Sequence, residues 1–373
     1  MDDASSQSIE TPLTGAESGS ARKAGPIVVS VDAMGGDQGP DVVVKGLAIA
    51  AAKNPDLKFV LHGRESELAP IVARRGIKAV TTIRDAAGVV AMTDKPAHVM
   101  RNGKDTSMWS SIDAVRSGEA DVCVSCGNTG ALMAVSMVRL RKLPGVNRPA
   151  IAILWPSNGP KGFNVMLDAG ADIRADEGDL MQYALMGVSY ARNGLEIDRP
   201  RVGLLNVGTE DHKGRAELKV AAEMIAAQAE DARFDFVGFV EGGQIASDDV
   251  DVIVTDGFTG NIALKTGEGT ASFISAALRD AFRHTPLSRL AALMAYTSLN
   301  RLKKRIDPRR VNGGVFLGLN GTVVKSHGGA DATGVAAAVK LAYQLSKSSF
   351  GERLAARVAQ AGGFAPGDDD KDA

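Results

Sequence analysis

The chain is predicted to be an α/β protein, with a mostly parallel sheet covered by helices on both faces. Short apolar runs of β character alternate along it with segments whose apolar residues recur at helical spacing. Aromatic residues are only 5% of the 373 positions while glycine occupies 42, which suits helices packed closely on a sheet with glycine-rich loops. Hydrophobic residues make up 45%, enough at this length to bury a large core.

The alternation can be followed from residue 26. IVVSVD reads as a strand, AMGGDQGP as a glycine turn and DVVVKGLAIAAAKN as a helix. KFVLHG and ADVCVS are strands, and NTGALMAVSMVRLRK is a helix. AIAILW and FNVMLDAG are further strands, followed by the helix DLMQYALMGVSYARN, the strand RVGLLNVG and the helix ELKVAAEMIAAQA. VDVIVTDG is a strand and NIALKTGEGTASFISAALRDAF a long helix. Strands alternating with helices favour parallel pairing. No repeat of 20–50 residues and no Pro- or Ser-rich linker divides the middle, so residues 26–361 are expected to form a single domain. Residues 1–25 and 362–373, rich in small, polar and acidic residues, are expected to be disordered tails.

Composition removes several functional classes. A net charge of −1 supplies no global positive field for nucleic acid. No apolar run reaches the roughly 20 residues of a membrane span, and the N-terminus lacks the basic-then-apolar order of a secretion signal. Two cysteines make no disulfide framework, so a reducing cytoplasm is the expected compartment.

Five loops at predicted strand ends combine small residues with Asp, Asn and Thr: DAMGGD (32–37), SCGNTG (125–130), DAGAD (168–172), NVGTEDHKG (206–214) and TDGFTGN (255–261). Glycines allow close backbone approach to a ligand, and the amides of a following helix attract an anion. One such loop is an ordinary tight turn; five at one rim predict a phosphate-handling cleft. The P-loop pattern is missing, and the G-x-G of TGEGTAS lies inside a helical segment rather than after a strand. Cys123 and Cys126 alternate within a strand instead of opening a helix, so they are read as packing residues. The five histidines, at 62, 98, 212, 284 and 327, are scattered and give no metal spacing. Asn128 and Thr129 sit where a helix begins, fit either for capping it or for presenting a hydroxyl, an amide and backbone N–H groups to a phosphate or thioester oxygen. His212 with Lys213, and Lys325 with His327, bring cationic or proton-transferring groups to strand ends.

Taken together, DAMGGDQGP, SCGNTGALM, LLNVGTEDHKG, VTDGFTGNIALKT and VVKSHGGAD resemble the PlsX family of bacterial phosphate acyltransferases, in family order from about residue 27 to about residue 350. The resemblance implies a three-layer α/β/α sandwich related to phosphotransacetylases and to isocitrate and isopropylmalate dehydrogenases, and a homodimer. It implies transfer of a long-chain acyl group from acyl carrier protein to inorganic phosphate, without cofactor or metal. The acyl phosphate would serve phospholipid synthesis through a membrane glycerol-3-phosphate acyltransferase, with the protein held peripherally at the inner face of the membrane. Ala often stands in this family at the position of Cys126, which agrees with an incidental C-x-x-C.

On this basis the expected catalytic set is Asn128, Thr129, Lys213, His212, Lys325 and His327, with the acid or base unassigned. Expected substrate contacts are Asp32, Gly35, Gly36, Asp37, Arg101, Lys104, Ser107, Gly127, Gly130, Asn206, Thr209 and Glu210. Asp256, Thr259, Gly260 and Asn261 are expected on the opposite wall. Phosphate is itself an anionic nucleophile and a thiolate is a competent leaving group, so positioning and charge neutralisation suffice without a covalent enzyme intermediate. Three rivals remain: a short-chain phosphate acetyltransferase using coenzyme A, a metal- and NAD-dependent dehydrogenase, and a non-catalytic adaptor. Residues 283–310 carry eight Lys or Arg against one acid, Asp307. Their leucines fit two short helices joined near residues 296–298, a basic amphipathic hairpin at about 284–306 suited to dimer contact, carrier-protein docking or anionic lipid.

Overall fold

The computed structural model describes residues 25–361 except 211–212 and 307–312, so His212 and all but one residue of the expected tails lie outside the described residues. The first half of the chain runs β1 (Ile27–Asp32), α1 (Pro40–Ala51), β2 (Leu57–Gly63), α2 (Glu65–Arg75), β3 (Thr81–Asp85), α3 (Pro96–Asn102), α4 (Ser107–Arg116), β4 (Val122–Ser125), α5 (Thr129–Arg139), β5 (Ala150–Pro156) and β6 (Phe163–Leu167). It continues with α6 (Glu177–Leu195), β7 (Arg201–Leu205), α7 (Ala216–Gln228), β8 (Asp235–Val240), β9 (Val252–Val254) and α8 (Gly257–Arg283). Then come α9 (Pro286–Met294), α10 (Tyr296–Ile306), β10 (Gly314–Leu317), β11 (Thr322–Lys325), α11 (Ala332–Lys347) and α12 (Phe350–Ala361).

The strands form one eleven-stranded sheet in the order β3-β2-β1-β4-β11-β10-β5-β6-β9-β7-β8. Pairing is parallel except where β10 meets β11 and β5, and where β5 meets β6. Alternate side chains of a strand point to opposite faces, and here each face has its own core. Val122 and Val124 of β4, Ala150 and Ala152 of β5, and Val315 and Leu317 of β10 belong to one. Cys123, Ile151, Ile153 and Phe316 belong to the other. Helices lie on both faces, with α1 and α11 packed together on one and α4 and α5 in contact on the other. Cys123 therefore packs as its alternation predicted.

The three antiparallel junctions change one expectation. Because two strand reversals separate β11 from β5 and a third separates β5 from β6, the group β6-β9-β7-β8 runs opposite to β1-β4-β11. The loops at 32–37 and 125–130 thus leave one edge of the strands, and those at 168–172, 206–214 and 255–261 leave the other. They do not share a rim; what brings part of each set together is the face of β5 between them.

Candidate active site

β1, β4 and β11 are adjacent and in register, with Asp32, Ser125 and Lys325 side by side at their carboxyl ends. All three are buried. Asp32 accepts hydrogen bonds from Ser107 Oγ at 2.6 Å, Ser125 Oγ at 2.7 Å and the Gly35 amide at 3.2 Å. Burial raises its pKa, against the lowering effect of these donors. Lys325 Nζ reaches the carbonyls of Cys126, at 3.4 Å, and of Ser326. Burial pulls its pKa down to about 8, although the neighbouring Cys126, Asp32 and Asp37 work in the other direction.

From Lys325 a cleft of about 410 Å³ opens across β5. Ile151, Ile153 and Trp155 of β5 line its floor. One side is the start of α5 at Thr129 and Gly130, where first-turn amides have no intrahelical acceptor and carry the positive end of the helix dipole. The other side is α8, through Asn261, Leu264, Lys265, Gly267, Glu268 and Ala271. Glu268 pairs with Lys265 at 2.9 Å and lies 4.0 Å from His327 Nε2. The polar end thus gathers two lysines and a histidine beside the Glu268 carboxylate, with Asp32 and Asp37 acting on Lys325 from behind.

α8 is fixed in place by loop 168–172. Asp168, buried, accepts from the amides of Ile151 at 2.8 Å, Asp172 at 2.7 Å, Ala171 and Gly170. Gly260 lies against the Asp168 carbonyl where a β-carbon would have no room, and Asn261 Nδ2 donates to the Ala169 carbonyl at 3.3 Å. Asp256 caps α8 by accepting from the Thr259 amide at 2.8 Å and the Thr259 hydroxyl, and it pairs with Arg215 at 2.6 Å.

Of the residues expected at the site, Thr129, Gly130, Asn261, Lys325 and His327 line this cleft. Asn128 is adjacent but already engaged: its oxygen caps α5 through the Ala131 amide, and its nitrogen donates to the carbonyls of Met92 and Asp94, each at 2.9 Å. That side chain ties loop 91–94 to the helix start, so of its two readings the capping one describes its hydrogen bonds. Asp32, Ser107, Gly35 and Gly127 form the supporting layer, with Gly36 and Asp37 crossing to Gly328. Arg101 and Lys104 are exposed on and beside α3. Asn206 closes its own loop by binding the Lys213 carbonyl, and Lys213 is paired with Glu210 at 2.8 Å, both half-exposed. Lys213, Asn206, Thr209 and Glu210 are absent from the cleft lining, because β7 delivers them to the far strand edge. Lys265 and Glu268 were missed; their signal was present in the helical spacing of Asn261, Lys265 and Glu268. Among the described residues no group of three His, Cys, Asp or Glu could hold a metal ion.

A family model described as fatty acid synthesis protein matches residues 27–353. The chain belongs to this family of phosphate acyltransferases. A relative from Dinoroseobacter shibae, named phosphate acyltransferase, is 72% identical over 336 residues, 90% of this chain and 87% of that one. Another of the same name from a Ruegeria species is 69% identical over 350 residues, covering 94% and 93%. Among solved structures, a phosphotransacetylase from Streptococcus pyogenes superposes with a TM-score of 0.57 at 17% identity, covering 86% of this chain and 94% of that one. A branched-chain phosphotransacylase from Enterococcus faecalis gives 0.54 at 14%, covering 86% and 99%. At such identities these two establish the shared fold, the one expected for phosphate acyltransferases.

Proposed function

We propose that this phosphate acyltransferase moves a long-chain acyl group from acyl carrier protein to inorganic phosphate. A phosphate oxygen attacks the thioester carbonyl carbon; the C–O bond forms, the tetrahedral oxyanion collapses, the C–S bond breaks, and the carrier thiolate leaves and takes up a proton. The observation that carries this reading is the buried Lys325 beside the α5 amides at the head of a cleft whose floor is apolar. Lys325 and Lys265 hold the dianion, the amides of Thr129 and Gly130 receive charge at the developing oxyanion, and His327, tethered towards Glu268, hands the departing thiolate its proton. Phosphate brings its own negative charge, so no side-chain nucleophile is needed.

The acidic carrier protein is proposed to dock on the basic segment around α10, which also suits peripheral attachment to anionic lipid and delivery of acyl phosphate to a membrane glycerol-3-phosphate acyltransferase. A homodimer and a cytoplasmic location belong to the same proposal. No helix among the described residues is long and apolar enough to cross a membrane.

The test is to incubate the protein with hexadecanoyl carrier protein and phosphate and to trap acyl phosphate with hydroxylamine. Phosphate-dependent hydroxamate is the expected product. Turnover of acetyl coenzyme A in place of the long-chain thioester would favour a short-chain phosphate acetyltransferase instead.

A further inference from the structure

Behind the cleft lies a second hollow of about 670 Å³, between α8, the short turn Gly242–Gln244 with Ile245, and Leu302 of α10. Its lining is Trp155, Gly242, Ile245, Leu302 and a stripe of α8: Ala263, Thr266, Gly267, Thr270, Ala271 and Ile274. These α8 positions recur at helical spacing, one stripe round from Asn261, Leu264, Lys265 and Glu268, which face the cleft. None of the described residues lining the second hollow is charged. The two spaces share Trp155, Gly267 and Ala271.

Gly267 is where α8 meets Trp155 in that shared wall. A β-carbon there would meet the Trp155 ring at 2.6 Å from Cη2 and 2.9 Å from Cζ2. Glycine inside a helix costs about 1 kcal/mol relative to alanine, and here it lets the indole lie against the bare backbone of α8. The first glycine of TGEGTAS, a segment that makes no phosphate loop, thereby acquires a role.

We infer that the acyl chain of the thioester passes from the cleft across Trp155 into this apolar hollow, and that Gly267 and Trp155 are specificity-determining residues that set the usable chain length. The inference rests on the proposed acyl transfer. Its occupant follows from continuity: the reacting carbonyl belongs at the polar end beside Lys325, and a groove that starts there, loses its charged residues and turns apolar fits a hydrocarbon tail. Filling the groove takes away methylene contacts from long chains only, each worth about 10- to 200-fold in discrimination.

The experiment is a chain-length series, from butanoyl to hexadecanoyl carrier protein, run on the native enzyme, Gly267→Leu and Thr270→Phe. Both variants are expected to lower kcat/KM for the hexadecanoyl thioester at least ~30-fold more than for the butanoyl thioester, and in Thr270→Phe, which lies outside the cleft lining, the phosphate KM should stay within about 2-fold of native. In parallel, hexadecanoate added to the native protein should change the tryptophan emission, and Trp155→Phe should abolish the change although Trp109 remains. Variant profiles parallel to that of an active native enzyme overturn the inference and leave acyl transfer standing, as does a shift in oligomeric state with the profile unchanged, which would give the groove to a second copy of the chain. A native enzyme inactive at every chain length removes the proposed reaction itself; the emission of Trp155 then still decides whether the groove holds a hydrocarbon chain. Should both variants fail to fold, an emission change that survives Trp155→Phe overturns the inference.

Discussion

Lys325 combines a buried ammonium group with a wall position in the cleft, and its charge is the most consequential single feature of the site. Burial draws its pKa to about 8, while Asp32, Asp37 and Cys126 on one side and Lys265 on the other face it with opposing effects. If the charged form binds phosphate, kcat/KM for phosphate should fall as pH rises through about 8, because the lysine then loses its proton. Lys325→Arg, whose guanidinium keeps its charge to above pH 12, should carry the alkaline limb upward; Lys325→Met should lose about 100- to 1000-fold at neutral pH. An alkaline limb unmoved in the arginine variant would assign it to another group. The cysteines behave in the opposite way. Burial pushes the Cys123 thiol up to about 12 and raises that of Cys126, so neither is an available thiolate. Thiol reagents and chelators should leave activity within about 2-fold and Cys126→Ala should stay active, since methyl replaces thiol at a small cost; activity restored by zinc or reductant would sink this. At this scale the sequence made Lys325, His327, Thr129 and Gly130 legible because they lie in the motifs SCGNTG and VVKSHGGAD. It left both readings of Asn128 open, since an N-cap and an anion donor carry the same residue type at the same position and only the carbonyls of Met92 and Asp94 tell them apart.

Elements with strong periodicity were read close to their bounds, among them β1, α1, α5, β7 and α7, because a 3.6-residue stripe and an apolar run are local properties. α8 begins at Gly257 rather than at Asn261, since the cap is Asp256, one turn earlier. The segment expected as a hairpin holds two short helices, α9 and α10, with the break at Ala295, one residue before the expected junction. β8, interrupted by Gly238 and with only Val240 fully buried, and the four-residue β10 and β11 are too short or too exposed to stand out as strands. α9 exposes Leu287, Leu293 and Met294, each more than 70% accessible, next to a segment dense in Lys and Arg. Reversing Arg301, Lys303 and Lys304 to Glu should therefore raise the KM for acyl carrier protein or weaken binding to anionic vesicles, more at low salt than at high salt, where screening removes the difference. The far-ultraviolet dichroism should be unchanged. Kinetics and vesicle binding both unaltered at low salt would confine this surface to contact between copies.

The whole molecule is two parallel groups of opposite direction welded by β10, β5 and β6, an arrangement no local pattern encodes because it depends on which strands become neighbours. Its consequence for function is that the cleft lies across the sheet face at the weld, rather than along one rim. Its consequence for stability shows at His62, the last residue but one of β2, paired in register with Asp32. The ring is fully buried, with Nε2 3.0 Å from Ser30 Oγ and Nδ1 2.8 Å from Ser110 Oγ, so it ties β2 to β1 and to α4. Burial, with a smaller contribution from the positive charge of Arg84, brings its pKa down to about 4. In the unfolded chain a histidine titrates near 6.5. The unfolded state therefore binds the extra proton first, and stability is lost as pH falls from about 6.5 towards 4, by about 2 kcal/mol at pH 5. Asp32 and Asp168, whose carboxyls are raised by burial, act in the opposite sense at low pH, since the native state then takes up their protons earlier. Comparison with His62→Gln separates the contributions, because glutamine retains a donor and an acceptor but does not titrate. Urea unfolding should show the native protein losing about 2 kcal/mol more than the variant between roughly pH 7 and pH 5; parallel curves would mean that the ring is already protonated in the folded protein or that water reaches it.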